Sequence, residues 1–330
     1  MNSFRALVVD YVGEEFTRGV QTLTIDQLPE GDVTLRVMYS SVNYKDGMAS
    51  VPNSRIVHTY PFIPGIDLAG YVVHSDNPRF HEGDEVIATG YGLGVSHFGG
   101  FSEMARVPAD WLVPLPTGLT LKEAMALGTA GFTAALSIYQ MQHNGVHPAM
   151  GEILVTGATG GVGSLAINML SKLGYDVVAS TRQQQGHEYL YGLGAKAVVA
   201  HDTLTVPEGK ALLRQRWAGA IDAVGGGLLA YLLSTVKYGG SVALSGMTAG
   251  TEFTTNVYPF ILRGVNLLGI DSVSCPMEKR IQIWSWMANE LKSPDWLATV
   301  AHETTLDDLP NVLSSILDGE IRGRVIVSMA

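Results

Sequence analysis

The chain has a single cysteine in 330 residues. One thiol forms no internal disulfide and cannot build a four-cysteine zinc site, so Cys275 is expected to be a buried or incidental thiol. Charge is also scarce: Asp, Glu, Lys and Arg make up 16% of the chain, against 46% hydrophobic residues. Such a composition fills large cores and does not resemble a disordered tail. Cations are the minority, 21 Lys and Arg against 31 Asp and Glu, for a formal net charge of −10. An acidic surface repels nucleic acid and anionic membranes, so neither is expected as a partner. A local site for a phosphate-bearing small molecule stays open. No stretch offers roughly 20 uninterrupted apolar residues, and no membrane span is expected. Phe4-Arg5-Ala6 runs directly into Leu7-Val8-Val9. That start has no signal-peptide core and no cleavage-like site, so a soluble, cytoplasmic protein is expected. The nine histidines are scattered without metal-ligand spacing. His97 reads as a solvated loop residue.

The length fits two domains better than one or three. The first third reads as β-rich. Val33 to Tyr39 alternates as a half-buried strand does, and Tyr71-Val72-Val73 and Glu85 to Ala88 are short apolar strands. Turn clusters such as Pro29-Glu30-Gly31-Asp32 and Glu82-Gly83-Asp84 separate them. This spacing suggests a compact barrel or sandwich. From Leu121 to Met141 the apolar spacing is helical, with Thr120 as N-cap and Glu123 three positions on.

Beyond Glu152, strands and helices alternate. Strands are expected at 153–156, 176–179, 197–200, 220–224, 240–245 and 265–271. Helices are expected at 163–173, 185–193, 227–233 and 258–262. This alternation is the pattern of a doubly wound parallel sheet. The tail adds two amphipathic helices, 277–289 and 306–317, and a last strand at 324–327.

Residues 153–163 read Ile-Leu-Val-Thr-Gly-Ala-Thr-Gly-Gly-Val-Gly. A buried strand enters a glycine-rich turn, and a helix opens at once. In that setting the glycines let the backbone turn tightly beside a pyrophosphate, while the helix N-terminus offers unpaired N–H groups to its charge. Gly157, Ala158, Thr159, Gly160, Gly161, Val162 and Gly163 are the candidate contacts. Gly160 and Gly163 match the second and third glycines of the dinucleotide fingerprint, and Ala158 stands where the first is usual. In NAD sites an acid about 20 residues further on bonds the adenosine ribose. Here that strand ends Ala179-Ser180-Thr181-Arg182. A guanidinium and two hydroxyls in place of the acid suit a 2′-phosphate, so NADPH is the expected cofactor.

Several further stretches resemble the medium-chain dehydrogenases/reductases over nearly the whole chain. They are Val42-Asn43-Tyr44-Lys45-Asp46, Phe62 to Gly70, Glu82 to Val86, Gly99-Gly100-Phe101-Ser102-Glu103 and Arg322-Gly323-Arg324-Val325. Asn43 to Asp46 together with Pro64-Gly65-Ile66-Asp67 is most similar to the zinc-free acrylyl-CoA reductase group, formerly filed among quinone oxidoreductases. The resemblance implies a GroES-like β-barrel domain formed by residues 1–124 and 268–330. A dinucleotide-binding Rossmann domain, 125–267, is inserted between those segments, with the active site in the cleft. The family's zinc alcohol dehydrogenases carry a Cys near Asn43 and a His-Glu pair near Ile66-Asp67. Both are absent, as is the cysteine-rich structural zinc lobe. Without zinc as electrophile, a conjugated C=C is the natural acceptor, because its developing charge delocalises onto a carbonyl oxygen that hydrogen bonds can hold.

The resemblance also places Tyr44 beside the nicotinamide and Thr159 to Val162 at the pyrophosphate. Ser180 to Arg182 would meet the adenosine phosphate, and Met247, Ile261, Ser272 and Asp318 the nicotinamide half. Met247 and Ile261 fit simple packing equally well. Asn43, Tyr44, Asp46 and Asp67 are the catalytic candidates. A carboxylate in the apolar run around Asp67 must be paired or hold its proton tightly. It either positions a proton relay or satisfies neighbouring N–H groups. Tyr44 either walls the nicotinamide or donates to an enolate, and Asp46 either bonds a turn or serves the reaction. The leading expectation is NADPH-dependent reduction of a short enoyl-CoA, acrylyl-CoA to propionyl-CoA. Reduction of a quinone or small enone is the alternative, and a non-catalytic NADPH-binding protein is the alternative of another class. Arg55, Arg263 and Arg322 are unranked candidates for CoA phosphates. The strand at 265–271 is expected to pair across a homodimer, as in relatives.

Overall fold

The computed structural model describes residues 3–182, 186–207, 209–293 and 296–329. Two compact units divide the chain: Met1–Thr129, Val273–Asn289 and Ala301–Ala330 form one, and Ala130–Ser272 with Glu290–Val300 the other. Against the boundaries expected from sequence, the first break falls after Thr129. Residues 290–300 group with the second unit.

The first unit opens with a hairpin, β1 (Ser3–Val12) and β2 (Glu15–Thr24), paired antiparallel through a turn at Gly13 and Glu14. Gly13 has φ 65°, which a side chain would disfavour, and this lets the turn close in two residues. Strand β3 (Val33–Val42) follows, with Val33, Leu35 and Val37 buried and Arg36 exposed, the expected alternation. After it come α1 (Tyr44–Ala49), β4 (Asp67–Ser75), β5 (Glu85–Thr89), β6 (Met104–Val107) and β7 (Leu112–Pro114). Then α2 (Leu121–His143) begins with the capping box read from sequence. Thr120 N donates to Glu123 Oε2 at 2.9 Å, and Glu123 N to Thr120 Oγ1 at 3.2 Å. The helix is not continuous. Gly128 breaks it with φ 51° and ψ −155°, for a reason that belongs to the site below.

The second unit carries β8 (Ile153–Val155), α3 (Gly161–Lys172), β9 (Val177–Thr181), α4 (His187–Gly192) and β10 (Ala197–Ala200). It continues with β11 (Trp217–Asp222), α5 (Gly227–Thr235), β12 (Val236–Leu244), α6 (Tyr258–Arg263) and β13 (Asn266–Gly269). Gln185, the expected start of α4, lies outside the described residues. The six strands lie in the order β10-β9-β8-β11-β12-β13, and every neighbouring pair is parallel. This is the doubly wound sheet, with its order reversing between β8 and β11. Its central strands β8, β9 and β11 are buried along their whole length, as parallel strands inside such a sheet are. Trp217, Leu229, Leu232 and Val242 are at most 1% exposed in its core.

The chain then returns to the first unit with α7 (Met277–Trp286), passes through α8 (Trp296–Val300) in the second, and ends with β14 (Ala301–Thr305), α9 (Leu309–Leu317) and β15 (Arg324–Ser328). Strand β15 pairs antiparallel with β3, Val325 opposite Val42, and completes a seven-stranded sheet ordered β14-β15-β3-β4-β5-β7, with β6 also on β3. The two ends of the chain therefore build one sheet. No helix of the described residues is long and apolar enough to cross a membrane. Cys275 is buried.

Candidate functional site

Two places gather the residues singled out from sequence. The first is the turn between β8 and α3 in the second unit. Gly157 has φ 56°, the left-handed region in which a Cβ is strained. A Cβ on Gly163 would lie 2.4 Å from the Gly157 carbonyl oxygen and 2.7 Å from Ala158 Cα, so α3 packs on the turn only because residue 163 is glycine. Gly160 differs. Its φ is −80°, and a Cβ there would meet only the Gly157 oxygen at 3.4 Å, an ordinary contact. Packing within the protein therefore does not require a glycine at 160. Ala158 is fully buried, and its N–H donates to the Ser180 carbonyl at 3.2 Å, which ties the turn to the neighbouring strand. Thr159, Gly160, Gly161 and Val162 stay partly exposed at the N-terminus of α3.

The adjacent strand tip holds Ser180, Thr181 and Arg182. The Ser180 hydroxyl is buried and has no hydrogen-bond partner among the described residues, a costly arrangement for a polar atom. Arg182 is exposed, and its Nη2 lies 3.3 Å from His201 Nε2. On the other side, Asp222 closes the turn after β11. It accepts from Thr156 Oγ1 at 2.6 Å and Val224 N at 3.0 Å. A glycine that leaves room, a helix N-terminus, an orphaned hydroxyl and an exposed guanidinium at the carboxyl ends of parallel strands fit a phosphate-bearing dinucleotide. Met247 and Ile261 in this unit are 65% and 71% exposed, so neither packs in its core. Ser272 is half-buried.

The second place is in the first unit. Asp67, at the start of β4, is fully buried. It accepts from Ser41 Oγ at 2.7 Å, Asn43 Nδ2 at 2.7 Å, Thr129 N at 2.9 Å and Thr129 Oγ1 at 2.5 Å. Arg324 Nη2 lies 3.7 Å away. Arg324 reaches in from β15 and donates to the Ala126 and Val42 carbonyls, Ser41 Oγ and Asn43 Oδ1. Burial lowers the pKa of its guanidinium, and the charges of Asp67 and Asp46 act to raise it. The Asn43 amide is thus held at both ends, its nitrogen by Asp67 and its oxygen by Arg324. Gly128 explains itself here: a Cβ would stand 2.5 Å from Asp67 Oδ2, 2.6 Å from Ser41 Oγ and 2.8 Å from Arg324 Nη2. The break in α2 makes room for the cluster and aims the Thr129 N–H at Asp67.

Asp46, also fully buried, accepts from Asn43 N at 2.8 Å and Ile66 N at 2.9 Å. It closes a capping box on α1 and ties that helix to the loop before β4. Burial, then the charge of Asp67, push its carboxyl up to about 7, against the pull of its N–H donors. Of the four catalytic candidates, three interlock and are closed to solvent. Tyr44 alone is open, at 43% exposure. Asp318 is exposed at the end of α9.

The sequence reading passed over Arg324, Ser41, Thr129, Gly128 and His201. Arg324 had a signal, a lone charge among the apolar residues of the last strand. The others had none without the fold. Of the phosphate candidates, Arg263 is committed to the Ser234 and Leu213 carbonyls at 2.8 and 2.7 Å. Arg55 and Arg322 are exposed. His97 is not a solvated loop residue. It is half-buried, with Nε2 2.7 Å from the Arg106 carbonyl oxygen and its ring against Trp111, and burial lowers its pKa. Among the described residues, no group of three or more His, Cys, Asp or Glu converges as metal ligands do.

Residues 29–117 match the alcohol dehydrogenase GroES-like domain, and residues 161–289 the zinc-binding dehydrogenase domain. YhfP of Bacillus subtilis, whose name places it among quinone oxidoreductases, is 53% identical over 99% of both chains. Its crystal structure with NAD bound superposes with a TM-score of 0.96 over 99% of this chain and all of that one. The acrylyl-CoA reductase AcuI of Ruegeria pomeroyi is 46% identical over 99% of both chains. The yhdH oxidoreductase of Salmonella enterica, solved with NADP, is 44% identical with a TM-score of 0.95, covering 98% of this chain and 99% of its own. The chain belongs to the zinc-free group of the medium-chain dehydrogenase/reductase family.

Proposed function

We propose that this chain reduces the C=C bond of a short α,β-unsaturated acyl-CoA, acrylyl-CoA to propionyl-CoA, using NADPH and no zinc. The observation that carries the reading is the closed cluster around Asp67. The resemblance sets Asn43 and Asp67 near the positions of the family's zinc ligands, and here both side chains are engaged by Ser41, Thr129 and Arg324 and by each other. Negative charge developing on a substrate must then be met by hydrogen bonds, which suits an enolate spread onto a thioester oxygen. The identity to AcuI supports the acyl-CoA.

In this reading Thr159 to Val162 present N–H groups to the pyrophosphate, and Ser180, Thr181 and Arg182 hold the adenosine phosphate. Tyr44, with Met247, Ile261, Ser272 and Asp318, meets the nicotinamide half. Held by those residues, NADPH would supply the hydride for the substrate's β-carbon. The chain's own task is to align the acyl group, hold the enolate oxygen, and admit a proton to the α-carbon. Asn43, Asp46 and Asp67 act by fixing α1 and the Tyr44 that opens it.

An NADPH-oxidation screen tests the substrate. Acrylyl-CoA should exceed free acrylate, simple ketones and quinones in kcat/KM. Quinone reduction matching acrylyl-CoA would return the chain to a quinone reductase, a second reading favoured by the name of the 53% identical relative. Cofactor binding without turnover on any acceptor would make it a binding protein. Exhaustive chelation should leave activity intact, and a tightly held stoichiometric metal whose removal stops turnover would sink the zinc-free part. The reading includes a homodimer through β13, which ends the sheet order and neighbours exposed Val257, Tyr258, Ile261 and Leu262. Light scattering should give twice the monomer mass, and Asn266→Pro should lower it.

A further inference from the structure

The tip of β9 has a neighbour that the cofactor reading leaves unused. Strand β10 pairs parallel with β9, Ala200 opposite Thr181, so the next residues along, His201 and Arg182, stand side by side where the two strands end. Arg182 Nη2 lies 3.3 Å from His201 Nε2. A guanidinium offers only donors. The contact is therefore a hydrogen bond only if His201 Nε2 carries a lone pair, which puts the imidazole proton on Nδ1. Half-burial of His201 and the charge of Arg182 both favour that neutral ring, against the opposite pull of Asp202 and Asp222. Among the described residues no carboxylate pairs with Arg182. The imidazole is the group that holds it.

We propose that His201 is a specificity residue for the adenosine phosphate, acting by holding Arg182 in place at the mouth of the β9 and β10 tips. The inference rests on the NADPH reading and deepens it. Arg182 is a long side chain, exposed to solvent, and an untethered arginine gives up rotamer freedom when it clamps a phosphate. A neutral acceptor on the adjacent strand removes part of that loss in advance without adding a competing negative charge, which a carboxylate in the same place would do. The arrangement also separates two cofactors that share everything but the 2′-phosphate. NADH gains nothing from an ordered Arg182, whereas NADPH gains the whole clamp. His201 is thus a positioning residue. Its effect is confined to the cofactor that carries the phosphate.

The test is the pair of dissociation constants for NADPH and NADH, read from reduced-nicotinamide fluorescence. It compares the wild type with Arg182→Ala, His201→Ala and His201→Gln, each checked by thermal denaturation. The wild type should prefer NADPH, and Arg182→Ala should abolish that preference. His201→Ala should weaken NADPH about fivefold, the scale of one ordinary hydrogen bond, and leave NADH unchanged. His201→Gln keeps an acceptor and should recover most of the loss. Equal weakening of both cofactors in His201→Ala, no weakening at all, or a Gln variant as poor as Ala would each overturn the proposal while Arg182→Ala still defends the cofactor reading. A wild type without preference, unaltered by Arg182→Ala, would overturn the reading and the proposal together.

Discussion

The Asp67 cluster and the tips of β9 and β10 both collect polar side chains at strand ends, and they treat them in opposite ways. Around Asp67 the hydrogen bonding is complete. Four donor contacts converge on its carboxylate, and Arg324, 2% exposed, serves four acceptors. At the strand tips the bonding among the described residues is unfinished: Ser180 Oγ is buried without a partner there, and Arg182 is exposed with the His201 imidazole beside it. A finished buried network has nothing left to offer a ligand, so it acts as a frame. An unfinished one keeps its donors in reserve, as the receptor proposed above requires. The largest effect that tests this contrast is Arg324→Ala. It should strand the Asp67 carboxylate in the interior and cost about 3–5 kcal/mol, the usual result of removing one partner of a buried ion pair. Arg182→Ala, on the receptor side, should leave the unfolding midpoint nearly unchanged. Denaturant unfolding of the two variants reads the difference. Comparable midpoints would show that the two places are not frame and receptor.

Asp46 sharpens the comparison through pH. Its carboxyl is raised from 3.8 to about 7, first by burial and then by the charge of Asp67. Between those two values the folded chain holds a proton that the unfolded chain has lost. Stability from this group is therefore fully present below about pH 4 and declines as pH rises towards 7, the reverse of an ordinary salt-bridged carboxylate. Asp46→Asn removes the titration. The difference in unfolding midpoint between wild type and variant should shift in favour of the variant as pH rises from 4 to 7 and level off above. A difference that stays flat over that range would show that Asp46 is ionised throughout.

Much of this contrast was legible before any coordinates. The order of strand, glycine turn and helix at 153–163 was legible, because local backbone chemistry decides it. The missing acid after Ala179 pointed to a phosphate. The frame was less legible. Asn43, Asp46 and Asp67 were singled out, but whether Asp67 relayed protons or satisfied N–H groups depended on Arg324, which lies more than 250 residues away in sequence and meets it only when β15 pairs with β3. The break in α2 was hidden for the same reason. Helical spacing runs through Gly128, and only the packing of Ser41, Asp67 and Arg324 against it shows why a Cβ is excluded. The β1–β2 hairpin went unread because β2 (Glu15–Thr24) has no fully buried position and so no apolar period. His201 passed as one histidine among nine, since strand register alone sets it beside Arg182.

The smallest effect on stability is expected inside the receptor itself, where two glycines of one motif do different work. Gly163 is required by the polypeptide, because a Cβ would lie 2.4 Å from the Gly157 oxygen. Gly163→Ala should therefore push α3 off the turn and cost about 1–3 kcal/mol, as overpacking against backbone does. Gly160 has an ordinary φ of −80° and room for a Cβ at 3.4 Å. Its alanine should fold with stability within about 0.5 kcal/mol of wild type, the range of substitutions that disturb no packed neighbour. Yet the added methyl group would occupy the space that a pyrophosphate needs in order to reach the backbone. NADPH and NADH should both weaken by about tenfold or more, roughly 1.4 kcal/mol or more, since both carry the pyrophosphate. Thermal denaturation without cofactor, beside fluorescence titration with each, separates the two glycines. If Gly160→Ala binds as well as wild type, the open side of this turn does not face a dinucleotide. If it unfolds like Gly163→Ala, residue 160 belongs to the protein's own packing.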